Sequence, residues 1–105
     1  MNQPLQFETI AVRTQTQRTQ HNEHSTPIYL TSSFVFDDAE QMSGAFAGEN
    51  DANIYSRFSN PNTDEFIQKM CLLEEAEAGF ATATGMAAVF AACMALMQSG
   101  DHILS

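Results

Sequence analysis

The chain has 105 residues, is 44% hydrophobic, and carries 13 acidic against 4 basic residues for a net charge of −9. This length supplies one modest domain, and the acidic balance excludes general nucleic-acid binding, which needs a basic stripe. The scarcity of cations makes each one informative, and Arg57 stands apart from Arg13, Arg18 and Lys69 by its neighbour Tyr55.

Residues 1–6 are polar, without the charged-then-apolar pattern of a leader, and the longest apolar run, residues 85–97, is shorter than the roughly 20 residues of a membrane span. A cytoplasmic protein with no membrane partner is the expectation. Cys71 and Cys93 fall in apolar helical patterns outside any Cys-x-x-Cys spacing, and read as buried, reduced thiols rather than a redox pair.

Residues 8–26 are rich in Thr, Gln, His and Asn, with little apolar periodicity. Residues 28–36 follow Pro27 as an extended, hydroxyl-rich stretch. The first 36 residues together read as an arm ordered by packing on something else. Asp37 or Asp38 can cap a short helix to about Ala47, with Gly48 placed to stop it. Residues 54–58 are expected to be extended, which puts Tyr55 and Arg57 on one face. A turn at Asn60-Pro61 leads to a helix over residues 64–78, capped by Asn62 or Thr63 and ended by Gly79, with a one-sided apolar stripe. A strand over residues 80–83, a turn at Thr84-Gly85, a helix to about Gln98 closed by Gly100 and a strand from Asp101 complete a β-turn-α-β unit of a parallel α/β sheet.

Residues 86–97 are apolar on every side, which suits a helix in the interior of a large protein. The expectation is therefore an N-terminal piece of a longer polypeptide.

Two features carry chemistry. The start of the last helix at Gly85 offers unpaired N–H groups and the positive end of the helix dipole, a site for phosphate. A glycine at a strand-to-helix turn that binds nothing is the alternative, with Thr84 an ordinary cap. Tyr55 and Arg57 combine a neutral donor with a permanent multi-donor cation suited to a phosphate dianion. They can equally be a surface aromatic beside a solvated cation. His21 and His24 flank Glu23 without a second ligand cluster, so no metal site is expected. His102 reads as structural, and Lys69 as a solvated surface lysine.

Tyr55-Ser56-Arg57-Phe58-Ser59-Asn60-Pro61 resembles the Tyr-Ser-Arg-x-x-Asn-Pro motif of the pyridoxal-phosphate enzymes of cysteine and methionine metabolism. Pro27-Ile28-Tyr29-Leu30-Thr31-Ser32-Ser33-Phe34, Leu72-Leu73-Glu74, Thr84-Gly85-Met86-Ala87-Ala88 and Gly100-Asp101-His102-Ile103 resemble further segments of that family, in the same order. The similarity extends over nearly the whole chain but only the first quarter of a family member. Asn62 stands where the family often has Thr, and Thr84 where Ser is common.

The resemblance implies a fold type I, aspartate aminotransferase-like α/β architecture. Residues 1–58 would form a dimer-crossing arm with a short helix, and residues 59–105 the beginning of the large domain that binds pyridoxal 5′-phosphate. It implies that the N–H groups of Gly85 and Met86 hold the cofactor phosphate, and that Tyr55 and Arg57 reach the phosphate of the neighbouring subunit in a dimer of dimers. It places the Schiff-base lysine downstream of Ser105, so no catalytic residue is expected within the chain. The implied activity is a PLP-dependent transferase or lyase acting on a small amino acid. An O-succinylhomoserine or O-acetylhomoserine sulfhydrylase is favoured by the arm sequence Arg13-Thr14-Gln15-Thr16. Cystathionine γ-synthase, cystathionine or methionine γ-lyase, and a non-catalytic remnant or interaction module are the alternatives.

Overall fold

The structure, a computed structural model, describes residues 6–12 and 18–104. The Arg13-Thr14-Gln15-Thr16 segment, residues 1–5 and Ser105 lie outside the described residues. Among the described residues four helices follow one another: α1 (Phe7–Val12), α2 (Ala39–Ala47), α3 (Pro61–Glu74) and α4 (Gly85–Leu96).

Helix α2 follows the sequence closely. Asp38 is its N-cap, accepting the Gln41 N–H at 2.7 Å, and Gly48 ends it in the left-handed region at φ 72°. That conformation is open to glycine because it has no Cβ. Helix α4 is likewise capped by Thr84, whose Oγ1 accepts the Ala87 N–H at 3.1 Å.

Helix α3 begins earlier than expected. Its N-cap is Asn60, not Asn62 or Thr63, and Pro61 takes the first helical position. The missing proline N–H needs no acceptor there, and its φ is already helical. At the other end Glu75, at φ 53°, is the C-cap in place of Gly79. Gly79 serves close packing instead: a methyl there would lie 3.1 Å from Cys71 Sγ and 3.2 Å from Ile67 Cγ2.

The strands expected over residues 80–83 and from Asp101 are absent among the described residues, where the isolated antiparallel bridge Ser33–Tyr55 is the sole β pairing. A parallel strand needs a hydrogen-bonded neighbour, and these two segments do not pair with each other. Asp101 closes a turn instead, its carboxylate accepting the Gln98 N–H at 2.7 Å, with Gly100 at φ 104°.

The helices do not close on a common core. Among the described residues, α1 and α3 are the only helix pair in contact, so α1 is held in place by packing on α3. The radius of gyration is 17.4 Å, against about 13 Å for a compact chain of this length. The accessible surface is 9286 Å², where a compact protein of this mass exposes about 5,800 Å². Among the described residues only Gly44, Ala45 and Asn60 are buried. Phe90, Met94 and Leu96 on α4 are 66%, 62% and 84% exposed. Cys71 and Cys93 are free and half-buried rather than fully enclosed.

Candidate functional site

The Tyr55–Arg57 region is built by an asparagine-centred network. Residues 32–34 and 54–56 run antiparallel, with the Phe34 N–H donating to Ile54 O at 3.3 Å and the Ser56 N–H to Ser32 O at 2.9 Å. The chain then turns instead of extending to residue 58. The N–H groups of Phe58 and Ser59 both return to Tyr55 O, at 2.8 and 3.1 Å.

Ser56 is the hinge of this turn. Its hydroxyl donates to Thr31 O and accepts from Asn60 Nδ2 at 3.0 Å. Asn60 Nδ2 also lies 3.2 Å from Tyr29 O, and its Oδ1 caps α3 through the Asn62 N–H at 2.9 Å. Asn60 is 8% exposed and the sole buried polar residue among those described. Its desolvation is tolerable because each side-chain polar atom has a partner. Asn62 completes the network: Oδ1 accepts the Tyr29 N–H at 2.8 Å, and Nδ2 donates to Pro27 O at 2.6 Å.

The two residues flanking Ser56 meet each other. Arg57 Cζ lies 5.1 Å from the Tyr55 ring centroid and 5.8 Å from that of Phe58. The two rings stand edge to face at 6.3 Å and 62°. Tyr55 and Arg57 therefore come together as expected, through a turn with a cation–π contact and not through alternation along a strand. Arg57 and Phe58 are exposed, and Tyr55 lies at the margin of exposure.

At the start of α4, the N–H groups of Gly85 and Met86 make no hydrogen bond among the described residues, whereas those of Ala87 and Ala88 are taken by Thr84. A methyl at Gly85 would meet nothing within 4 Å, so the space before the helix is open. Two free donors, an open approach and the helix dipole fit a phosphate dianion. No hydrogen bond or ring contact among the described residues joins this start to Tyr55 or Arg57. The candidate residues thus form two half-sites.

A separate cleft lies between the arm and α3, lined by Arg18, Tyr29, Asp51 and Asp64 among others. Burial raises the Asp64 carboxyl above its usual 3.8. Glu23 is engaged by Thr19, whose N–H and hydroxyl reach it at 2.8 and 2.7 Å. Among the described residues, no three His, Cys, Asp or Glu side chains gather as a metal set, and no helix is long and apolar enough to cross a membrane. Lys69 is half-buried on α3 rather than fully solvated. The roles of Ser56, Asn60 and Asn62 in the network were not legible from residue types, although Pro61 after Asn60 signals that cap.

Residues 8–105 match the family described as Cys/Met metabolism PLP-dependent enzyme. An O-succinylhomoserine sulfhydrylase of Pseudomonas aeruginosa is 45% identical over 93% of the chain and 24% of its own length. An L-methionine gamma-lyase of Porphyromonas gingivalis is 44% identical over 77% of the chain and 20% of its own length. A crystal structure described as an O-acetylhomoserine (thiol)-lyase of Campylobacter jejuni, containing N′-pyridoxyl-lysine-5′-monophosphate, superposes with a TM-score of 0.85 at 34% identity, over 93% of this chain and 24% of that one. The chain spans about a quarter of the length of the relatives it matches most fully. By the match over residues 8–105 and these relatives, the chain belongs to the Cys/Met metabolism PLP-dependent enzymes and has the backbone of the N-terminal part of their fold type I architecture.

Proposed function

We propose that the chain is the N-terminal part of a PLP-dependent O-acylhomoserine sulfhydrylase, which replaces the acyloxy group on the γ-carbon of an O-acylhomoserine with sulfur from sulfide, releasing the carboxylate, to form homocysteine for methionine biosynthesis. The observation that carries this reading is identity of 45% and 41% to two O-succinylhomoserine sulfhydrylases along nearly the whole chain. Pyridoxal phosphate, when bound, supplies an electron sink for carbanions at the substrate amino acid. This chain's residues would hold its phosphate: Gly85 and Met86 through their free N–H groups, and Tyr55 and Arg57 through hydroxyl and guanidinium. In a homodimeric arrangement within a dimer of dimers, Tyr55 and Arg57 serve the neighbouring subunit and meet its Gly85 and Met86 at one phosphate. Residues 1–58 then act as the crossing arm and residues 59–105 as the start of the cofactor domain. The free thiols and the metabolic role favour the cytoplasm. The 105 residues alone are inactive on this reading, since Lys69, the single lysine, lies on α3 within the helix body.

The L-methionine gamma-lyase at 44% identity supports a second reading, C–S elimination. The deciding experiment supplies the full-length protein with pyridoxal phosphate, then with O-succinylhomoserine or O-acetylhomoserine plus sulfide, and separately with methionine. Homocysteine from the esters is the expected result. A 2-oxoacid and thiol from methionine, without homocysteine formation, would replace it with the lyase reading. No cofactor uptake would leave the non-catalytic alternative.

A further inference from the structure

We infer that Asn60 and Asn62 are positioning residues for the phosphate-binding pair Tyr55 and Arg57, an inference that rests on the pyridoxal-phosphate reading above. Tyr29 is held at both backbone polar atoms by these two amides, N–H by Asn62 and C=O by Asn60. Two and three residues further on, Thr31 and Ser32 present the carbonyls that fix Ser56. The second amide hydrogen position of this network closes on Ser56 itself through Asn60. The register of residues 27–33 against residues 54–56 is therefore set by two side chains on the first turn and cap of α3. A slip of one residue would reverse the face of every side chain in the pair.

The side chains of Tyr55 and Arg57 are both exposed and make no hydrogen bond among the described residues, only their ring contact, while the Tyr55 carbonyl closes the turn by accepting from Phe58 and Ser59. Their aim is inherited from Ser56, and Ser56 inherits its place from the asparagines. A loosened turn would have to be ordered when phosphate binds, which weakens affinity without removing any group that touches the ligand. The asparagines thus act through geometry.

The test uses the full-length protein, stripped of cofactor and titrated with pyridoxal phosphate, with hydrogen exchange read at the Tyr29 and Ser56 amides. Asn62→Ala is expected to lose protection at Tyr29 and to raise the cofactor dissociation constant by about five- to tenfold, the scale of one lost hydrogen bond. Asn62→Asp keeps the acceptor for the Tyr29 N–H and should recover protection there and part of the affinity. It also carries the test if Asn62→Ala does not fold. Arg57→Ala should weaken the cofactor while leaving Tyr29 protection at the wild-type level. Lost protection with unchanged affinity in the Asn62 variants would overturn the inference and leave a purely structural clamp. A wild-type protein that takes up no pyridoxal phosphate would instead overturn the parent reading, and the inference with it.

Discussion

The side-chain oxygen of Asn62 accepts the backbone N–H of Tyr29 at 2.8 Å, across 33 positions of chain. This bond and its companion from Asn62 Nδ2 to Pro27 O join a segment with little regular structure to the first turn of α3. Ile28 and Leu30 on either side of Tyr29 are 78% and 94% exposed. The arm is held here by its backbone, while its apolar side chains remain uncovered.

Asn60→Ala should therefore act beyond the loss of one cap. It leaves Tyr29 O, the Ser56 hydroxyl and the Asn62 N–H without their present partner. A loss of about 1–2 kcal/mol in local opening free energy is expected, read by hydrogen exchange at Asn62 and Ser56. Asn60→Asp keeps the cap acceptor and should spare Asn62 but not Ser56.

The α2 region tests two glycines with different physical roles. Gly48→Ala places a Cβ at φ 72° and should destabilise the cap by about 1 kcal/mol. At Gly44 a methyl would lie 2.7 Å from Asn50 Nδ2, which donates to Gln41 O. Gly44→Ala should displace Asn50 and cost about one hydrogen bond, roughly 1 kcal/mol. In a double cycle, adding Asn50→Ala should remove most of the Gly44→Ala effect, because the clash is gone.

Asp64 gives a pH dependence of definite sign. Burial raises its folded-state pKa above 3.8, so between 3.8 and the raised value the folded state binds more protons than the unfolded state. Stability then falls as pH rises through that window and stays lower above it. Asp64→Asn should abolish this segment of the stability profile, and local exchange at α3 at neutral pH should slow. A profile unchanged in shape would exclude burial of Asp64 as its origin.

Gly85→Ala separates helix stability from ligand binding. Nothing within 4 Å opposes a methyl there, and replacing glycine by alanine in a compatible conformation stabilises by about 0.4–1 kcal/mol. In the absence of cofactor α4 should become more protected against exchange. In the full-length protein the same methyl narrows the approach to the helix start, so pyridoxal phosphate affinity should fall. Opposite signs in the two measurements are the expected outcome.

The isolated 105-residue chain should bind the dye ANS strongly and melt over a broad range. Helix α4 is apolar around its circumference, and Met86, Phe90, Met94 and Leu96 are all exposed. Such a surface exceeds what a compact monomer displays. A sharp cooperative melt with no dye binding would contradict the open arrangement of the helices.

The sequence alone determined the local events whose causes are local. Asp38 and Thr84 cap because a short polar side chain reaches an N–H three residues on, and Gly48 stops α2 because it has no Cβ. The helix start at Gly85 was legible for the same reason, since the first N–H groups of any helix lack an intrahelical acceptor. Tertiary structure decided what depends on partners distant in the chain. Whether residues 80–83 are a strand depends on a neighbouring strand, and the described residues supply none. Whether Gly79 ends a helix or admits Cys71 and Ile67 depends on how the chain folds back over α3. The hold of Asn62 on Tyr29 depends on two segments meeting in space, which no local periodicity records.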